Sequence, residues 1–287
     1  MHDSECIIVA NPAAGGMRRK AGRNRIVRLA ADLGCPLIGL DCRSAEEWRH
    51  CVAEVSPYTG VLVVAGGDGT FADALNAKRG DPVLAFFPAG SGNALRWALR
   101  QIGAEPLSAA TIRRQRTRSV GVVMCNGVRK AFSASIGLDA LAAYNYQVSS
   151  RTCRSGLVRY TSALLAAVRA YRSPDVVMHG GGQQLSLQRC LTVIVSKQPF
   201  YGYGLRVNSG RLDDGSLSLR SLSGPAIRLM LPLMAAACRL PPSHSRTGTR
   251  YVIQSSHDLW MQCDGEAVCQ GREFTFELLA DHVRMLL

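Results

Sequence analysis

The sequence has 287 residues, of which 34 are lysine or arginine and 21 are aspartate or glutamate, so its formal net charge is +13 at pH 7. Hydrophobic residues make up 47% and charged residues 19%, which excludes an intrinsically disordered chain, because such chains are poor in apolar residues. The length suggests two domains of ordinary size.

Membrane spanning and secretion are not expected from the sequence. The most apolar stretch, Leu229–Cys238, falls well short of the roughly 20 residues that a bilayer requires. The first five residues contain two acids and lead directly into an apolar run, so we expect a cytoplasmic protein without a secretory signal. The ten cysteines form no C-x-x-C pair and no histidine cluster at zinc spacing, which favours reduced thiols over a zinc site.

The N-terminal part alternates short apolar runs with helical patterns. The apolar runs predict strands at Cys6–Ala10, Pro36–Leu40, Val61–Ala65 and Val83–Phe87. One intervening helix is predicted to begin at Ser44, because Ser44 and Glu47 have the spacing of a capping box. Since parallel connections place helices over both faces of a sheet, this order predicts a three-layer α/β domain with a parallel sheet over residues 1–116.

The C-terminal part has a different pattern. Asn126-Gly127 predicts a hairpin turn, and Leu138–Arg172 is predicted to be mostly helical. Further strands are predicted at Leu187–Val195, Leu217–Leu222, Tyr251–Gln254, Leu259–Cys263 and Phe274–Leu278. We therefore expect an antiparallel β domain with helical insertions over residues 117–287, and leave open whether its last strand returns to the first domain.

Three small loops that contain glycine follow strands of the predicted parallel sheet. They are Asn11–Gly16, Gly66–Thr70 and Pro88–Asn93. Ligands of open parallel sheets bind beyond the carboxyl ends of the strands, where such loops let backbone N–H groups approach an anion. One loop could be only a tight turn, but three at one edge predict a phosphate site. Asp68 favours a metal ion or a proton as its partner, as in phosphoryl transfer, although the chain has no P-loop motif.

Five motifs in this order resemble the diacylglycerol kinase catalytic-domain family, which includes bacterial diacylglycerol kinases and the related sphingosine and ceramide kinases. They are Asn11-Pro12-Ala13-Ala14-Gly15, Gly66-Gly67-Asp68-Gly69-Thr70, Pro88-Ala89-Gly90-Ser91-Gly92-Asn93, Leu212-Asp213-Asp214-Gly215-Ser216-Leu217 and Asp264-Gly265-Glu266. The resemblance implies transfer of the γ-phosphoryl group of ATP to a lipid hydroxyl, with diacylglycerol as the first candidate. It also implies that the C-terminal domain is a β-sandwich, with the reaction in a cleft between the domains.

The resemblance also implies roles for individual residues. ATP would be held by Asn11, Pro12, Ala13, Ala14, Gly15, Gly66, Gly67, Asp68, Gly69, Thr70, Ser91 and Asn93. Mg²⁺ would bind Asp214 and the backbone carbonyls of Arg211 and Ser216, a set of oxygen ligands that suits a hard cation. Either Glu266 or Asp68 would accept the proton of the lipid hydroxyl, and the sequence leaves that choice open. Each acidic turn could also be only a hairpin turn.

Two residues depart from the family pattern and keep alternatives open. Ala94 stands where aspartate is usual, and Asp73 stands where glutamate is common. A catalytically silent nucleotide-binding regulator is therefore one alternative. An NAD kinase-like enzyme is another, because such enzymes share the motif Gly66–Thr70.

The basic residues suggest possible partners. Six of them crowd the helix after the first loop: Arg18, Arg19, Lys20, Arg23, Arg25 and Arg28. They are either a solvated face or a surface that attracts ATP and anionic lipid. The stretch Pro225–Leu240 predicts either an interfacial helix or a helix packed on a sheet. Aromatic residues make up only 6%, which argues against single-stranded nucleic-acid binding by base stacking. The family resemblance implies a lipid substrate, and the basic residues lead us to expect peripheral contact with the anionic inner membrane surface.

Overall fold

The structure, a computed structural model, describes residues 4–90, 92–149, 156–225, 238, 240, 242 and 245–287. Two compact units make up the chain. The first consists of Met1–Val120, Gly202–Gly204 and Asp281–Leu287, and the second of Gly121–Tyr201 and Leu205–Ala280. Most of the stretch Pro225–Leu240, including all of the apolar run Leu229–Cys238 except Cys238 itself, lies outside the described residues.

The first unit has a parallel sheet with helices on both faces. Its strands are β1 (Ser4–Ala10), β2 (Leu37–Ile38), β3 (Thr59–Gly66) and β4 (Val83–Pro88). Its helices are α1 (Lys20–Leu33), α2 (Ala45–Val55), α3 (Asp68–Ala77), α4 (Ala94–Gln101) and α5 (Ala109–Arg114). The strands are parallel in the order β2-β1-β3-β4, and Met285 near the chain end adds a parallel pair with Leu84 of β4.

Alternate side chains of these strands pack against different helices. Val63 and Phe87 belong to the same buried cluster as Ile26 of α1. On the opposite face, Phe86 contacts Phe71 of α3 edge to face, with ring centroids 5.3 Å apart. Because neighbouring residues of a strand point to opposite faces, both faces of this sheet are covered, and the predicted three-layer fold is confirmed.

The second unit is a β-sandwich with two helices. Its strands, of which β5 begins and β14 ends in the first unit, are β5 (Thr117–Cys125), β6 (Arg129–Ala131), β7 (Ser133–Gly137), β8 (Val176–Gly180), β9 (Gln183–Leu187), β10 (Cys190–Ser196), β11 (Leu217–Ser223), β12 (Arg246–Gly248), β13 (Arg250–Cys263) and β14 (Glu266–Leu286). Its helices are α6 (Leu138–Val148) and α7 (Gly156–Ala170). The strands β12-β11-β10-β7-β13-β14 are antiparallel neighbours in that order.

The long strand β13 pairs with different neighbours along its length. It pairs with β8 over Tyr251–Ser255 and with β7 over Met261–Cys263, and its register with β14 shifts between Gln254 and Leu259. One buried apolar cluster fills the unit, with contributions from β7, β10, β11, β13 and β14. The sequence patterns divided β13 into two strands, because a bulged, half-exposed strand has no unbroken alternation. They did not predict β8.

Candidate active site

The three glycine loops of the first unit are in direct contact with one another. The first loop meets the third, since the Gly16 N–H donates to the Ala89 carbonyl over 2.6 Å. The third meets the second, since the Ala89 N–H donates to the Gly66 carbonyl over 2.7 Å. The structure therefore gathers the loops that follow β1, β3 and β4 at one edge of the sheet.

Two glycines are required for this close approach. A Cβ atom on Gly90 would lie 2.4 Å from the Cα atom of Gly67, and a Cβ on Gly66 would lie 2.4 Å from the side chain of Thr70. Real Cβ atoms essentially never come closer than 3.0 Å to such neighbours. A larger residue at Gly90 would therefore push the second and third loops apart, and one at Gly66 would displace Thr70 within the second loop.

The predicted residues of the first loop are tied to the second loop by Asn11. Its Nδ2 donates to the Thr70 hydroxyl over 3.0 Å, while its Oδ1 accepts from the Ala13 N–H over 2.9 Å. Pro12, Ala14 and Gly15 complete the turn that leads into α1. Asn11 thus holds the first loop to the second through its amide nitrogen, while its amide oxygen stabilises the first loop itself.

The carboxylate of Asp68 joins the second loop to the start of α4. Its Oδ2 accepts from the Ala94 N–H over 2.9 Å, and its Oδ1 accepts from the Leu95 N–H over 3.0 Å. Burial raises the pKa of Asp68 above its ordinary value, and the backbone N–H groups of Leu95 and Ala94 oppose that rise. Asp68 therefore caps α4, and burial favours the protonated form of its carboxyl group.

The third loop is closed by Asn93. Its Oδ1 accepts from the Gly90 N–H over 3.0 Å, and its Nδ2 donates to the Gly90 carbonyl over 2.9 Å. Asn93 has φ = +46°, a left-handed conformation that asparagine tolerates better than most residues. Ser91, which the resemblance also assigns to ATP, lies outside the described residues.

The two departures from the family pattern have structural roles in this chain. Ala94 contributes its backbone N–H to the Asp68 carboxylate, an interaction that needs no side chain. Asp73 is buried on α3 and forms an ion pair with Arg49 of α2, with 3.6 Å between Nη1 and Oδ1. The carboxylate of Asp73 is therefore engaged between two helices.

In the second unit, Asp264-Gly265-Glu266 forms the hairpin that joins β13 to β14. Asp264 and Gly265 both have positive φ, of +49° and +90°, as a two-residue turn of type I′ requires. The Asp264 carboxylate accepts from the backbone N–H groups of Phe132 and Ser133. Asp264 thus stabilises the turn.

The side chain of Glu266 has a cationic partner within the same unit. Its Oε2 accepts from Nη2 of Arg129 over 2.7 Å, and the Glu266 side chain is 40% exposed. This carboxylate is held in one place while part of it stays open to solvent. Both candidate carboxylates thus have hydrogen-bond partners: Glu266 accepts from a guanidinium, and Asp68 accepts from the N-terminus of a helix.

The predicted Mg²⁺ ligands on the turn Leu212–Leu217 do not fit a divalent cation. The backbone carbonyl of Ser216 accepts from Nζ of Lys197 over 2.9 Å, and the carbonyl of Asp214 accepts from the same nitrogen. A Mg²⁺ ion about 2.1 Å from the Ser216 carbonyl would lie within about 5 Å of this ammonium. At an effective dielectric of about 20, a monocation and a dication at that distance repel by roughly 7 kcal/mol.

The side chains of this turn are paired as well. Arg211 donates through Nε and Nη2 to the Asp213 carboxylate over 3.0 and 3.3 Å, and its Nε lies 3.8 Å from Asp214 Oδ1. Within the described ranges, no group of three or more His, Cys, Asp or Glu side chains is arranged to hold a metal ion.

Sequence reasoning did not single out Asp139, which is at the centre of a buried polar network. Its Oδ2 accepts from the hydroxyls of Ser135 and Tyr201 over 2.5 and 3.0 Å, and its Oδ1 accepts from the Thr192 hydroxyl over 2.5 Å. Burial raises the pKa of Asp139, although these three hydroxyls oppose the rise. Its sequence signal was weak: a single acid in the first turn of an apolar helix.

The Asp139 network extends to the hairpin that carries Glu266. Gln262 donates through Nε2 to the Ser135 hydroxyl over 2.7 Å, and its Oε1 accepts from the Gly265 N–H over 2.7 Å. The network thus links the start of α6 to the turn between β13 and β14.

Comparison with known proteins gives two adjacent domain matches. Residues 5–125 match the diacylglycerol kinase catalytic domain, and residues 132–285 match the YegS C-terminal NAD kinase beta sandwich-like domain. A diacylglycerol kinase of Mycobacterium tuberculosis is 30% identical over 173 residues, a match that covers 57% of this chain and 55% of the relative. The match therefore spans about half the length of that curated relative.

Solved structures show the same fold at low identity. A diacylglycerol kinase from Bacillus anthracis superposes with a TM-score of 0.74 at 18% identity, covering 99% of this chain and 96% of the other. An NAD kinase from Archaeoglobus fulgidus in complex with ATP has a TM-score of 0.55 at 13% identity, covering 98% and 93%. Both structures share the architecture of this chain.

Proposed function

This chain belongs to the diacylglycerol kinase catalytic-domain family, and we propose that it is an ATP-dependent lipid kinase. The observation that carries the proposal is the contact among the loops after β1, β3 and β4, with a carboxylate of raised pKa among them. A set of backbone N–H groups at the carboxyl edge of a parallel sheet suits the phosphates of a nucleotide. Diacylglycerol is the first candidate acceptor.

The nucleotide would be bound by the residues of these loops. Asn11 and Thr70 keep the first two loops together, and Asn93 shapes the third, so their backbone groups are preorganised before ATP arrives. ATP enters as its magnesium complex, so the metal in this proposal belongs to the substrate. Catalysis by such a site is mostly positioning and neutralisation of charge.

The transfer step requires a carboxylate that takes a proton. The lipid hydroxyl oxygen forms a bond to the γ-phosphorus, its proton passes to the carboxylate, and the bond between the γ-phosphorus and the bridging oxygen breaks to release ADP. Asp68 has the raised pKa that suits this role, whereas Glu266 has the more exposed carboxylate. Both residues are proposed as candidates.

An NAD kinase-like activity is the second candidate, because the chain also shares its fold with NAD kinases. The motif Asn11–Gly15 and the third loop favour the lipid kinase. In both reactions a hydroxyl attacks the γ-phosphoryl group, so the acceptor alone distinguishes them.

The test is a transfer assay with γ-labelled ATP and Mg²⁺ against diacylglycerol, sphingosine, ceramide and NAD. We expect label in a lipid and none in NAD. Label in NAD alone would replace the lipid kinase by the second candidate. If ATP binds in calorimetry but no acceptor gains label, the chain is instead a nucleotide-binding regulator.

A further inference from the structure

Lys197 is a fully buried lysine at the end of β10. Its exposed fraction is 0%, and its backbone N–H donates to the Phe132 carbonyl over 2.8 Å. A Cβ on Gly121 would lie 3.1 Å from the Lys197 Cε, so the absence of a side chain there leaves space for the lysine stem. Lysine is almost never fully buried unless its charge is compensated.

The Lys197 ammonium is compensated by the acidic turn that was predicted to hold Mg²⁺. Nζ donates to the backbone carbonyls of Asp214 and Ser216, the latter over 2.9 Å. Carbonyl oxygens are acceptors only and an ammonium is a donor only, so these two carbonyls take two of the three N–H groups of Lys197. The same turn is anchored to β5 by the Gly121 N–H, which donates to the Leu212 carbonyl over 3.0 Å.

We propose that the ammonium of Lys197 takes the place of a bound divalent cation at the turn Leu212–Leu217. The turn has the oxygen-rich composition of a hard-cation site, but its carbonyls converge on a cation that the chain itself supplies. The folded protein therefore holds this turn without Mg²⁺ and binds no metal there. This inference does not depend on the proposed kinase activity, because it concerns the protein without nucleotide.

The experiment measures metal binding and stability of the nucleotide-free full chain. For the wild type we expect the same Tm in EDTA and in millimolar Mg²⁺, and no Mn²⁺ bound in a spectroscopic titration that uses Mn²⁺ as the probe. Stoichiometric Mn²⁺ binding, or a Tm that rises with Mg²⁺, would overturn the proposal.

A variant tests whether the ammonium itself holds the turn. Lys197→Met keeps the length and apolar stem of the side chain but removes the donor, which leaves two buried carbonyls unpaired. We expect its Tm to fall by roughly 4 °C or more, while the exposed control Lys20→Met stays at the wild-type value. A Lys197→Met protein as stable as the wild type would contradict the proposal, and if that variant does not fold, the wild-type titration decides alone.

Discussion

At the residue scale, Asp68 caps α4 and is also one of the two proposed proton acceptors. Each of its carboxylate oxygens accepts one backbone N–H at the start of α4, as an N-cap does. A carboxylate has about four lone-pair sites, so acceptor capacity is left for a substrate proton. Glu266 differs, because a guanidinium engages it and its neighbouring turn is held by Asp264.

We predict that Asp68→Asn and Glu266→Gln each reduce turnover by a factor of about 10² or more, since both remove a candidate proton acceptor. The matched control is Glu277→Gln, because Glu277 is also on β14 and its carboxylate pairs with Arg250 over 2.9 Å. Steady-state transfer assays and thermal unfolding of all three variants would check this. Near-normal turnover in either candidate variant would remove that residue from the mechanism.

Gly90 offers a test of the contact between the second and third loops. Gly90→Ala would place a Cβ 2.4 Å from the Gly67 Cα, so we expect a loss of about 1–3 kcal/mol in stability and weaker ATP binding. Gly271→Ala is the control, because a Cβ on Gly271 meets nothing within 4 Å. Denaturant unfolding and calorimetry would show the difference, and equal ATP affinity in both variants would argue against the loops as the nucleotide site.

The buried network around Asp139 predicts a pH dependence of stability. Because the pKa of Asp139 is raised in the folded protein, the folded state keeps this proton to a higher pH than the unfolded state does. Its contribution to the free energy of unfolding is thus present below the unfolded pKa and is lost as the pH rises through the folded pKa. Urea unfolding at a series of pH values gives the free energy of unfolding as a function of pH, and we expect Asp139→Asn to lose the part of this dependence that Asp139 causes. The same pH dependence in the variant and the wild type would contradict the prediction.

At the element scale, the capping box predicted at the start of α2 forms only in part. The Ser44 hydroxyl accepts from the Glu47 N–H over 3.0 Å, as the capping-box spacing predicted. The Glu47 carboxylate, however, accepts from the Arg43 N–H over 2.7 Å and not from that of Ser44. The cap is therefore formed, but the reciprocal half of the box is shifted by one residue.

Removal of this cap should destabilise the protein measurably. We expect Ser44→Ala to lower the free energy of unfolding by about 1 kcal/mol, because one helix N–H loses its acceptor. Ser186→Ala on the exposed strand β9 is a control with the same atom change, and it should stay within about 0.5 kcal/mol of the wild type. Equal unfolding midpoints for the two variants would show that the Ser44 cap contributes nothing.

At the scale of the whole molecule, the net charge of +13 predicts attraction to anionic surfaces. The basic residues of the first loop and α1, from Arg18 to Arg28, are exposed. None of the helices among the described residues is long and apolar enough to span a membrane. Because these side chains are charged and exposed, their contact with anionic lipid would be electrostatic and sensitive to salt.

We predict that the protein sediments with phosphatidylglycerol vesicles at low salt and not with neutral phosphatidylcholine vesicles. Replacing Arg18 and Arg19 by glutamine should weaken this binding by roughly 30-fold, at about 1 kcal/mol per basic residue. The control is the same change at Arg169 and Arg172, which are exposed in and after α7. If both double variants lose vesicle binding equally, the binding depends on the net charge of the protein and not on the position of the arginines.

The sequence was sufficient to predict the parallel sheet and its three loops, because strand type, loop composition and helix caps depend on residues close together in the chain. Continuous apolar runs predicted β1, β3 and β4, and glycine composition predicted the loops after them. The resemblance to a family also predicted the β-sandwich of the second unit. The domain boundaries and the roles of the individual site residues stay predictions.

Only the tertiary structure decided which groups pair. Arg129 and Glu266 are 137 residues apart, and Asp68 meets Leu95 across 27 residues. Lys197 reaches the acidic turn because β10 and β11 are antiparallel neighbours, a register that no local pattern contains. The physical reason is that a buried polar group takes whatever partner the packed strands bring within hydrogen-bond distance, so a turn with metal-ligand composition can hold a lysine instead.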